Sequence, residues 1–83
     1  MVEPTIGDEV FGLNLQRLRN GKGWTQQELA DRVGLARASV VNMERGAQAP
    51  PWPTLCLLAD VFGVSLDVFR DVAALGDGEE RHA

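Results

Sequence analysis

Arg37 and Val41, and Ala38 and Asn42, form two pairs four residues apart, the spacing that makes side chains neighbours on one side of a helix. An arginine can place two N–H donors on the O6 and N7 of guanine, and an asparagine can pair with the N6 and N7 of adenine. Alanine and valine offer only methyl contact, which suits the thymine methyl group. Asn42 can instead reach a phosphate, and Ser39 is divided between a phosphate bond and a bond to its local backbone. Lys22, Arg32 and Arg45 flank this group as point charges that can touch phosphates and position a protein without reading sequence. Arg32 reads equally well as a solvated helical charge. Gln26 opens a helix, where exposed amides and the positive dipole end favour a phosphate, and its side chain can add a further bond.

These side chains need two short helices and a tight turn between residues 26 and 45. In the first helix, residues 26–33, Leu29 and Val33 share a buried face. Thr25 precedes it with Glu28 three residues on, a reciprocal capping pair. Gly34 suits the left-handed residue that ends a helix. The second helix, roughly residues 36–44, buries Val40 and Met43 and leaves Arg37, Ala38, Val41 and Asn42 outward. Two such helices make a helix-turn-helix, whose second helix can enter the major groove.

The chain resembles the Cro/repressor (XRE-type) helix-turn-helix proteins over about residues 11–69. The resemblance is carried by FGLNLQRLR, then WTQQELADRVGLARASVVNMERG, then TLCLLADVFGVSLDVF. It implies an all-α fold, a compact five-helix bundle, with sequence-specific DNA binding, usually as a dimer. It also implies an ion pair between Arg19 and Glu44, tying the first helix to the reading helix, and a phosphate contact at Gln26. Three departures stand out. Val41 takes a position that is often polar. Leu57, Val61 and Val68 put apolar residues where the family usually has polar or small ones, which suggests a contact between two copies. Pro50, Pro51 and Trp52 replace a segment that often carries a capping serine and an aliphatic residue.

The overall charge of −4 on 83 residues argues against nucleic acid until its distribution is considered. Residues 14–49 carry six basic and three acidic side chains, a local +3, whereas the remainder carries two basic and nine acidic ones, −7. A basic face on an acidic body suits a duplex binder whose other faces repel DNA. One cysteine, Cys56, excludes an internal disulfide and a cysteine zinc cage. The longest apolar runs fall well short of the roughly 18 residues of a membrane span, and no secretory pattern opens the chain, so the cytoplasm is the expected location.

In chain order, residues 1–7 read as a loose arm and residues 8–75 as one domain. Phe11, Leu15 and Leu18 form the apolar stripe of a first helix over residues 8–20, widened by Val10 and Leu13. Trp24 follows a glycine-rich turn as a core plug. Residues 46–53 cannot be regular, because three of them are prolines. Trp52 there either fills an aliphatic site or projects outward for a partner. A fourth helix over residues 53–62 uses Leu55, Leu58, Ala59 and Phe62, with Pro53 in its first turn. A fifth, capped by Ser65, uses Leu66, Phe69, Val72 and Leu75. Residues 76–83 read as a disordered tail, in which His82 has no second ligand.

The expectation is a homodimeric transcriptional regulator of double-stranded DNA, reading a near-palindromic operator. A lone domain of this length leaves no room for a ligand-sensing module, so neither cofactor, metal nor small-molecule ligand is expected. A toxin or a polymerase is a possible protein partner. The alternative is a protein-interaction adaptor, anchored by Trp52, Leu57 and Val61, that has lost DNA reading. No nucleophile–base pair, metal cluster or phosphate-cradling glycine loop points to an enzyme.

Overall fold

The structure is a computed structural model that describes residues 6–70, with side chains described from residue 9. Residues 1–5 of the expected arm, residues 76–83 with His82, and Val72 and Leu75 lie outside these residues, whereas Ile6 and Gly7, expected in the arm, open the first helix. Within them the chain forms α1 (Ile6–Lys22), α2 (Gln26–Val33), α3 (Arg37–Glu44), α4 (Trp52–Phe62) and a 3-10 helix (Leu66–Arg70).

The helix boundaries follow from local chemistry. α1 continues two residues beyond its expected end, through Gly21 and Lys22. It stops at Gly23, whose φ is 74°. The capping pair of α2 forms as expected: the Glu28 N–H donates to Thr25 Oγ1 at 3.0 Å, and the Thr25 N–H donates to Glu28 Oε1 at 2.8 Å. Gly34, at φ 73°, closes α2 while Leu35 N–H reaches back to the Ala30 carbonyl at 2.9 Å. α4 begins one residue early, at Trp52, with Pro51 as its cap and Pro53 within the first turn.

Over its described part, residues 66–70, the expected fifth α-helix is a 3-10 helix. Over the described residues there are four α-helices, followed by a five-residue 3-10 helix. Leu66 and Phe69 are three residues apart, a spacing that a three-residue turn eclipses. The Val68 N–H bonds the Ser65 carbonyl at 3.2 Å, the corresponding three-residue bond.

Leu15, Leu29, Val40, Met43 and Leu58 are the fully buried centre, so each α-helix contributes to one core. α3 packs against both α1 and α2, α4 against α2, and the 3-10 helix against α1 and α4. Leu13 does not widen the core as expected; it is exposed. It lies about 200° around the helix from both Phe11 and Leu15, on the opposite side. Asn14 takes the inward place instead. It is buried, and its Nδ2 donates to the Phe69 carbonyl at 3.2 Å, joining α1 to the 3-10 helix. Trp24 is half-buried and stacks on Phe62 with centroids 5.5 Å apart, so its ring belongs to the core.

Candidate nucleic-acid interface

The turn between α2 and α3 is three residues long, residues 34–36, and it sets how α3 is presented. Val40 and Met43 anchor the inner side of α3 in the core. Arg37 and Ala38 are exposed, and Ser39, Val41 and Asn42 are half-buried. The side chains read from sequence as a reading surface therefore lie off the buried stripe of one helix. Ala36, the cap of α3, supplies no side-chain bond to the first turn.

One carboxylate fixes α3 to the rest of the domain. Arg19 Nε donates to Glu44 Oε2 at 2.6 Å, and Nη2 donates to Oε1 at 3.0 Å. The side chains are only 12% and 4% exposed, with Glu44 buried and Arg19 half-buried. The hydrogen bond to Glu44 raises the Arg19 guanidinium above the ordinary arginine value, against the lowering that burial brings. Arg19 Nη1 also donates to the Trp24 carbonyl at 2.8 Å, which ties the turn before α2 into the same network. Gln26 completes it, its Nε2 donating to Glu44 Oε1 at 3.1 Å. The end of α1, the start of α2 and the end of α3 thus meet at Glu44.

The flanking cations differ in their engagement. Lys22 at the end of α1 and Arg45 at the end of α3 are exposed. The Arg32 guanidinium lies 4.3 Å from the Trp24 ring centroid. It is exposed yet seated on an aromatic face, so it is not simply a solvated helical charge. The sequence held this contact only as a basic residue eight positions after a tryptophan, with no periodic signal to connect them.

The apolar departures do not gather on one open face. Trp52 is 64% exposed, so it projects outward rather than filling an aliphatic site. Leu57 is 44% exposed. Val61, expected on the outward side, is half-buried and packs against the core. It comes three residues after Leu58 and one before Phe62, at the border of the buried stripe of α4. Val68 is half-buried in the 3-10 helix. No helix among the described residues is long and apolar enough to cross a membrane.

This arrangement has counterparts among known proteins. YqaE, an uncharacterized HTH-type transcriptional regulator of Bacillus subtilis (strain 168), is 36% identical over 58 residues. The match takes in 70% of this chain and 50% of YqaE, so the chain spans about half the length of that curated relative. Among solved structures, the restriction-modification controller protein C.AhdI from Aeromonas hydrophila superposes with a TM-score of 0.69 at 31% identity. That alignment covers 74% of this chain and 92% of C.AhdI. SinR, a master regulator for biofilm formation solved in complex with DNA, superposes with a TM-score of 0.68 at 29% identity, over 74% of this chain and 98% of SinR. A helix-turn-helix family model matches residues 15–69, which hold α2, α3, α4 and Arg19 together. With that match over most of its length, the chain belongs to the helix-turn-helix family.

Proposed function

We propose that the protein is a transcriptional regulator that binds double-stranded DNA, with α3 in the major groove and the start of α2 on the adjoining phosphates. The observation that carries this reading is the presentation of α3. Its inner face is locked by Val40, Met43 and Glu44, while Arg37 and Ala38 stand free of the core. Arg37 is assigned to guanine, Ala38 and Val41 to thymine methyl groups, and Asn42 to adenine or a phosphate. Gln26, Ser39, Lys22 and Arg45 are assigned to the backbone, where they set register. Arg32 joins them from its seat on Trp24. The likeness to SinR, solved with DNA, supports duplex binding, and the likeness to C.AhdI, a restriction-modification controller protein, supports a regulatory role.

A homodimer would place two copies of α3 about 34 Å apart, one turn of DNA, and would read an inverted repeat. The exposed Trp52 and Leu57 of α4 are assigned to its apolar contacts, and the half-buried Val61 and Val68 are not. Replacing Trp52 and Leu57 together by serine is expected to shift the protein toward monomer in sedimentation at micromolar concentration, without unfolding it. An unchanged sedimentation profile would remove both from the interface.

The reading is tested by selecting duplexes from a random pool at physiological salt. Enrichment of an inverted repeat with half-sites about 10 base pairs apart is expected. Arg37→Ala should cost about 1–3 kcal/mol and relax preference at one base pair of each half-site. A uniform loss across all sequences would make Arg37 a phosphate contact. The exposed Trp52 favours a second reading, an adaptor for a protein such as a toxin or polymerase. Selection that enriches nothing would bring it forward.

A further inference from the structure

Glu44 does more than bind Arg19. Its Oε1 receives Arg19 Nη2 at 3.0 Å and Gln26 Nε2 at 3.1 Å, and its Oε2 receives Arg19 Nε at 2.6 Å. A carboxylate gripped by an arginine fork only accepts hydrogen bonds, so it admits the nitrogen of the Gln26 amide and repels the oxygen. The amide of an exposed glutamine turns freely and meets a neighbouring group with oxygen as readily as with nitrogen. Here one of its two N–H bonds is spent on Glu44, and the amide's orientation is set by that bond.

We infer that Glu44 is a positioning residue for DNA binding: it orients the Gln26 amide so that its second N–H, at the start of α2, is offered to a backbone phosphate. The inference deepens the phosphate role of Gln26 given above and rests on that reading. Charge agrees with it. A bare carboxylate beside a phosphate would repel it, but Arg19 neutralises Glu44 at bonding distance. The orienting group therefore adds no net negative charge where the duplex would approach. The bond also removes rotamer freedom from Gln26 before binding, so less entropy is lost when a phosphate arrives.

A double-mutant cycle on duplex affinity tests this, with Gln26→Ala, Glu44→Gln and the pair, at one salt concentration and with unfolding curves in parallel. A glutamine at position 44 keeps the shape but can present either an amide or a carbonyl to Gln26, so orientation is no longer imposed. In the wild-type background Gln26→Ala should weaken binding about tenfold, the scale of a hydrogen bond to a charged group. In the Glu44→Gln background the same change should cost less than about twofold. Additive losses would overturn the inference while leaving duplex binding in place. A wild-type protein that binds no duplex would instead overturn the reading beneath it. Should Glu44→Gln fail to fold, the side-chain amide signals of Gln26 in the wild-type protein carry the test. One of the two Nε2 protons is expected to exchange with solvent markedly more slowly than the other in the free protein, and the faster one to shift as duplex is added. Equal exchange of the two protons, or a duplex titration that moves neither, would overturn it.

Discussion

Arg19→Ala should lower the free energy of unfolding by about 3–5 kcal/mol, the scale for breaking a buried pair by removing one partner. Small domains have only about 5–15 kcal/mol in total. The loss has a definite origin. The Glu44 side chain is 4% exposed, and without Arg19 its charge would be left to the hydrogen bond from the Gln26 amide. The Trp24 carbonyl would lose its bond from Nη1 at the same time. Urea unfolding of wild type and variant measures the difference directly. Replacing both partners by apolar residues of similar volume should cost less than removing Arg19 alone, because no buried charge remains. A loss below about 1 kcal/mol for Arg19→Ala would mean that the pair behaves as an exposed one in solution.

Gly12→Ala should destabilise the protein by about 1–3 kcal/mol or more, although alanine is the better helix former by about 1 kcal/mol. A Cβ at Gly12 would stand 2.5 Å from the Met43 carbonyl oxygen and 2.7 Å from that of Glu44. Both are backbone atoms of α3, so relief requires the helices to separate. The same substitution at Gly21, also in α1, meets nothing within 4 Å and should be neutral or stabilising. Thermal unfolding of the two variants should therefore move in opposite directions. Equal shifts would show that α1 and α3 do not approach as closely as described. Separation of α1 from α3 would also displace the carboxyl end of α3, so under the proposed function Gly12→Ala should weaken duplex binding beyond its effect on stability.

The helix-turn-helix was legible because its signals are local. Thr25 and Glu28 cap each other across three residues, Gly34 and Gly63 adopt positive φ where helices end, and Leu29, Val40, Met43 and Leu58 fall at helical spacing. The ion pair of Arg19 and Glu44 was expected from family resemblance, and its burial from nothing in the sequence. What escaped was long-range. Asn14 bonds a carbonyl 55 residues away, and nothing near it in sequence marks it as buried. Gly12 reads as an unremarkable helical glycine until the backbone of α3 is brought beside it. Gln26 was assigned to phosphate on its place at the start of α2, but its bond to Glu44 depends on how two helices meet. The fifth helix was misjudged for a different reason: Leu66 and Phe69 satisfy a three-residue repeat and a 3.6-residue one alike over so short a stretch. Trp52 was ambiguous because its flanking prolines fix the chain direction without saying which side of α4 the ring takes.

The two tryptophans give the protein two separate fluorescent reporters, with no tyrosine to complicate them. Trp24 is stacked on Phe62 beneath the Arg32 guanidinium, so its emission should move to the red only when the domain unfolds. Trp52 already meets water at the start of α4 and should emit near the wavelength of free indole while the fold is intact. Covering it, by a second copy or by another macromolecule, should move that component to the blue and shield it from iodide. Quenching read on Trp24→Phe and Trp52→Phe variants would thus follow folding and association independently in one cuvette.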